Sequence, residues 1–204
     1  MSGDCAAVGW WTANAISAGG YLFAAGILVW GTIAGRLPRH SLVLAAAIAL
    51  EGVGSILSHG AGGDGAILVH DLALLAMVGY VAGWHLGRLR YRAPYGAVAG
   101  SASATLVGAT AWPWYRGAGL LVAALALATT AVSEVAARRR GAQAVWTGPL
   151  LVVTAVAGVA WLAGRSGSPI CDPASVIQPH ALWHLLTAYL VVAWSFRAAA
   201  AHAV

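Results

Sequence analysis

The chain has 204 residues, 60% of them apolar, with only 11 basic and 6 acidic side chains. A soluble domain carries about 25% charged residues, and disordered chains are poor in apolar ones, so this composition excludes both classes. What remains is an integral membrane protein that is nearly all membrane.

The opening stretch MSGDCAAVGWW has no basic segment ahead of an apolar one, so the first apolar run is expected to be retained rather than cleaved as a signal peptide. Seven apolar segments follow, at about 12–35, 41–60, 66–87, 95–112, 117–137, 144–164 and 179–200, each near the roughly 20 residues that cross a bilayer. The fourth is the weakest, short and rich in Ala, Gly, Ser and Thr, and it ends at Trp112-Pro113-Trp114. The gaps are short, so consecutive helices should be antiparallel neighbours. The 26 Gly would let backbones approach closely where lipid supplies no hydrophobic force between helices. The expectation is an all-α, seven-transmembrane-helix bundle forming one domain over residues 1–204.

Every basic residue is Arg, and the Arg residues lie in the gaps. Arg36, Arg39, Arg88, Arg90, Arg92, Arg138, Arg139, Arg140 and Arg197 fall on one side, and only Arg116 and Arg165 on the other. By the positive-inside rule the N-terminus is outside and the C-terminus cytoplasmic. Spread along gaps rather than clustered on a soluble module, these residues do not indicate a nucleic-acid partner, and no protein partner is expected. Both cysteines, Cys5 and Cys171, then face the outer compartment, which permits a disulfide. We expect a Cys5–Cys171 bond, two unpaired thiols being the alternative.

Ionisable residues inside a membrane are costly and usually have a task. The informative ones are Glu51, His59, His70, Asp71, His180 and His184, while His40 and His202 lie at segment ends and are expected to be solvated. His180 and His184, in the run Pro179-His180-Ala181-Leu182-Trp183-His184, share a helix face about 6 Å apart along the axis. Such a pair can converge on a metal, ligate haem, or be hydrogen-bonded polar residues. Ser55 and His59 are also four apart, with Glu51 on the same stripe about 12 Å deeper than His59. The orientation brings His59, Asp71, His180 and His184 to one depth in the outer half of the bundle. Three His leave one tetrahedral position open, as in catalytic zinc sites. Asp71 would be the general base for a water, and Ser55 a hydroxyl donor to a developing oxyanion. His70, one helical step from Asp71, cannot face the metal equally and is expected beside the site. Trp183 could wall it. Glu51 has no firm role. Glu134 and Arg138, four apart, read as a surface pair. Trp10, Trp11, Trp112 and Trp114 suit an interfacial belt.

The S-x-x-x-H of the second segment, the Asp early in the third and the H-x-x-x-H of the seventh resemble the CREST superfamily of seven-helix membrane hydrolases. That group includes the alkaline ceramidases and the progestin and adiponectin receptors. The stretch from Cys171-Asp172-Pro173-Ala174-Ser175 through Gln178 to His180 and His184, with the outside-N orientation, is most similar to the alkaline ceramidase branch. The resemblance implies zinc on His59, His180 and His184, Asp71 on the attacking water, Ser55 beside the scissile carbonyl, and the Cys5–Cys171 disulfide. It implies hydrolysis of a ceramide-like lipid amide to a fatty acid and an amine base. The acidic N-terminal cluster that binds calcium in that branch is reduced here to Asp4. The Gly60–Gly65 segment is short and glycine-rich, unlike the animal enzymes. The alternatives are a receptor-like or regulatory seven-helix protein with a zinc site, and a haem-binding membrane electron carrier.

Overall fold

The computed structural model describes Cys5 and residues 12–90, 92–112, 118–172, 175 and 177–202. Among these the chain is helical, with no β-strand. The helices are α1 (Ala13–Ser17), α2 (Gly19–Ile33), α3 (Ser41–Gly60), α4 (Asp64–Arg88), α5 (Ala93–Ala111), α6 (Ala118–Arg139), α7 (Gly148–Ala163) and α8 (Pro179–His202). The first expected segment is therefore two helices, joined at Ala18, whose own backbone stays in the helical region. Thr12 caps α1 by accepting a hydrogen bond from the Ala15 N–H at 3.3 Å.

Five stretches are long and apolar enough to cross a membrane: Ala13–Ile33, Ser41–Gly60, Asp64–Arg88, Leu120–Arg139 and Pro179–His202. The expectation of seven spans thus stands for five. The α7 helix has only 16 residues, because Pro149 in its first turn fixes a start at Gly148, later than the apolar run suggested. The fourth expected segment, α5, forms a helix of 19 residues but is too rich in Gly, Ser and Thr to count as a span by hydropathy. Trp10, Trp11, Pro113, Trp114, Arg116 and Asp4 lie outside the described residues, so the aromatic belt is represented there only by Trp112, at the C-cap of α5.

Small residues decide which helices touch. Gly79, Gly83 and Gly87 of α4 face Gly96 and Gly100 of α5, and a Cβ on Gly83 would lie 2.0 Å from the Gly96 carbonyl oxygen. This is the small-residue contact that lets backbones meet in lipid. Gly54 does the same between α3 and α4, where an added Cβ would be 2.5 Å from the His70 amide nitrogen. The α4 helix thereby contacts α3, α5 and α6, while α8 contacts α1, α2 and α7. The α3–α4 turn uses Gly62 (φ 73°) and Gly63 (φ 100°), a left-handed pair that side chains resist.

Burial is inverted relative to a soluble bundle. Large apolar side chains face outward, including Phe23, Ile33, Leu121, Val132 and Val159, each at least 60% exposed. Asn14, Glu51, Ser55 and His184 are fully buried. The inward apolar contacts centre on Tyr21, Leu28, Leu44, Ile48, Tyr80, Trp84 and Trp194. Polar groups inside and aliphatics outside is the pattern that a lipid solvent requires.

Candidate metal centre

His59 lies in the last turn of α3, and His180 and His184 in the first turns of α8; both helices pack on α1 and α2, and the three histidines meet at one end of the bundle. Each offers one ring nitrogen, and the three atoms all lie within 4.8 Å of one another. Ring centroids are 5.2 Å apart for His59–His180, 5.3 Å for His59–His184 and 4.6 Å for His180–His184. All three residues are buried. Three neutral imidazoles on one point are a donor set suited to zinc or another divalent first-row metal.

The tautomer of His184 follows from its partners. Ser17 Oγ donates to the Asn14 carbonyl at 3.1 Å and lies 2.9 Å from His184 Nδ1. A hydroxyl has one proton, so with that proton on Asn14 the Ser17 oxygen accepts from His184 Nδ1–H. The Nε2 lone pair is then free to face the cluster, the arrangement that metal-binding histidines adopt. Ser55 Oγ stands 3.3 Å from that Nε2. Trp183 lies with its ring 5.1 Å from His180 and 5.3 Å from His184, forming a wall. Tyr21 packs 5.6 Å from His184 on another side.

The acidic residues form a separate group. His70 Nδ1 meets Asp71 Oδ1 at 2.9 Å, and His70 Nε2 meets Glu51 Oε1 at 3.2 Å. One imidazole therefore joins two carboxylates. Glu51 is fully buried and Asp71 about one-third exposed. Asp71 itself is not among the clustered ligand atoms; its hydrogen bond is to its neighbour His70.

Cys5 and Cys171 are joined as a disulfide, with Cα atoms 5.5 Å apart. The Cys5 N–H donates to the Gly164 carbonyl at 2.7 Å. Gly164 itself abuts His180, where an added Cβ would lie 2.7 Å from the His180 Cβ. The cross-link therefore sits at the same end as the three histidines.

Two readings need correction. Glu134 and Arg138 are the expected pair, at 3.0 Å, but not at the surface. The Glu134 carboxylate is 5% exposed, and it also pairs with Arg88 (3.3 Å) and His85 (3.4 Å) and accepts the Val145 N–H (2.9 Å). The cause is the loop after α6, which turns at Gly141 (φ 81°) and folds back across the bundle end. His40 is half-buried rather than solvated, with Nδ1 2.6 Å from the Tyr80 hydroxyl; His202 is exposed.

Three residues with evident roles carry no motif. Ser17, with its proton on the Asn14 backbone carbonyl, orients His184, and its one available sign is a hydroxyl in an apolar run; the buried Asn14 side chain likewise has no motif. His85 is buried, its Nε2 accepting the indole N–H groups of Trp146 (3.2 Å) and Trp194 (3.1 Å). No protein-family model, curated protein or solved structure matches the chain.

Proposed function

We propose that this chain is a seven-span membrane hydrolase, N-terminus outside, that cleaves the amide bond of a ceramide-like N-acyl lipid with zinc held by His59, His180 and His184. The observation that carries the reading is the convergence of three buried imidazoles from two helices, together with a hydroxyl, in a bundle interior that penalises idle polar groups. The sequence resemblance to the alkaline ceramidase branch supplies the substrate class. Bound zinc would polarise the amide carbonyl and lower the pKa of a water.

The protein's own residues would do the rest. Ser17 keeps the proton of His184 on Nδ1, leaving Nε2 for the metal. Ser55 donates its hydroxyl proton to the carbonyl oxygen as charge develops there. Asp71 takes the proton of the attacking water and passes it to the amide nitrogen as the C–N bond breaks, giving a fatty acid and an amine base. His70, backed by the buried Glu51, holds Asp71 in position. The acyl chain lies among the helices, and the site faces the extracytoplasmic half of the membrane.

The close packing of the imidazoles, with centroids 4.6–5.3 Å apart, leaves no gap for a macrocycle between them and counts against haem ligation. The test is metal analysis of the purified protein with fatty-acid release measured over a panel of N-acyl lipids. Stoichiometric zinc, and turnover of at least one lipid that is lost in a folded His180→Ala variant, is the expected result. Absence of stoichiometric metal, or full activity in that variant, overturns the reading. Zinc without turnover of any lipid would return the chain to the receptor-like alternative.

A further inference from the structure

A cavity lies at the other end of the bundle. It is formed where the α2–α3 loop, the later turns of α4 and the last turns of α8 meet, and its volume is about 310 Å³. Its walls include Arg36, His40, Tyr80, Trp84, Trp194 and His202. Because His40 precedes α3 and His59 ends it, roughly 28 Å of helix separates this cavity from the three-histidine cluster.

The lining has a single electrostatic character. Among the described residues no carboxylate lines the cavity, whereas a guanidinium, two imidazoles, a phenol and the hydroxyls of Ser41 and Ser195 do. Arg36 lies over the Trp30 ring, 4.9 Å from its centroid, and Trp30 is half exposed on the outer surface of the bundle. That places the fixed positive charge at the rim, where outer surface and cavity meet. The floor is rigid and aromatic. Trp194 meets Tyr80 and Trp84 edge-on, and its indole N–H is tied to His85. His40 is held by its hydrogen bond to Tyr80. Burial, reinforced by nearby His202, holds the His40 imidazole below its ordinary pKa, so the formal charge is supplied by Arg36.

Exposed Arg36 and His202, from two elements, with no acid among the described lining residues, match an oxyanion. Guanidinium is the side chain best suited to pair with phosphate. Basic pockets between transmembrane helices hold anionic headgroups by this chemistry. We propose that this cavity is a binding site for a phosphate-bearing anion, taken from a membrane phospholipid or from a soluble phosphate ester. Arg36 pairs with the phosphate, His202 adds a hydrogen bond, and the aromatic floor packs against the attached carbon skeleton. The site is built from residues that the hydrolase reading does not use, and it stands or falls independently of that reading.

The test is native mass spectrometry of the full chain in detergent, titrated separately with dioleoyl phosphatidylglycerol, dioleoyl phosphatidylcholine and glycerol 3-phosphate. The expected result is one saturable site that prefers the anionic lipid over the zwitterionic one by about ten-fold, or one that takes glycerol 3-phosphate. Competition of glycerol 3-phosphate against the lipid tells the two sources apart. Arg36 and His202 are both exposed, so Arg36→Gln with His202→Gln should leave helix content and zinc content unchanged while weakening binding about ten-fold. Arg36→Lys should retain most of it. No saturable binding of any probe, equal binding of the two lipids without uptake of glycerol 3-phosphate, or undiminished binding in the double variant would each overturn the proposal.

Discussion

Ser17 shows how much of this centre depends on a residue that touches no reacting atom. Its hydroxyl proton is committed to the Asn14 carbonyl, so its oxygen fixes the proton of His184 on Nδ1. Removing such a support typically lowers metal affinity 10–100-fold. On the proposed zinc reading, Ser17→Ala should lose the metal to a chelator at a 10- to 100-fold lower chelator concentration than the parent, with helix content unchanged by circular dichroism. Equal retention would mean that another group fixes the ring. Glu51 and His70 work at the same scale. The fully buried Glu51 side chain has the His70 imidazole 3.2 Å away, and that imidazole meets the Asp71 carboxylate at 2.9 Å on its other nitrogen. The H-x-x-x-H spacing and Glu51 were visible in the sequence. That His70 joins Glu51 to Asp71 was not, since it depends on how α3 and α4 sit against one another.

At the scale of elements, glycine placement decides the packing. Counting 26 Gly in an apolar chain suggests close helix contacts without saying where they are. Gly83 has no room for a side chain, since an added Cβ would meet the Gly96 carbonyl oxygen at 2.0 Å and the Gly100 Cα at 3.0 Å. Gly158 has nothing within 4 Å and is exposed. Gly83→Val should separate α4 from α5 and abolish a monodisperse peak in size-exclusion chromatography. Gly158→Ala should be neutral, or should stabilise by up to about 1 kcal/mol, the ordinary helix-propensity difference. If both variants behave alike, the α4–α5 contact is not as close as described. Helix ends followed local chemistry where a strong signal existed. Ser41–Gly60 matches its apolar segment because Gly62 and Gly63 end it, and α7 starts late because Pro149 allows no earlier turn.

For the whole molecule, polar function is divided between two ends. One end carries the three histidines, the Glu51–His70–Asp71 group and the disulfide. The other carries the arginines that follow α2, α4 and α6, and there Glu134 pairs with Arg88 and Arg138. Glu134 ties α6 to α4 through Arg88 and to the α6–α7 loop through Val145, and the Arg197 side chain of α8 donates to the Val145 carbonyl at 2.9 Å. Truncating one partner of a buried charge pair leaves the other uncompensated and costs about 3–5 kcal/mol. Glu134→Ala should therefore lower unfolding stability in a detergent titration by about that amount, with Glu134→Gln intermediate. A loss below about 1 kcal/mol would identify the cluster as solvated. Because the damage lies at the far end of the helices, zinc content in the surviving folded fraction should be unaffected.

The membrane class, most of the helical segments and the histidine spacing on α8 were determined by the sequence alone. Composition and periodicity act locally, and in lipid they leave the backbone few options other than helix. The Cys5–Cys171 pairing was also expected, from the compartment and from the resemblance. Tertiary structure alone decided the inward turn of Glu134, the roles of Asn14, Ser17 and His85, and the donor-lined cavity around Arg36. Each depends on contacts between residues far apart in the chain, set by small-residue helix packing and by a loop that folds back on the bundle. A one-dimensional pattern records which residues are polar; which of them share a hydrogen bond depends on the relative placement of helices, and glycine contacts and buried pairs fix that only together.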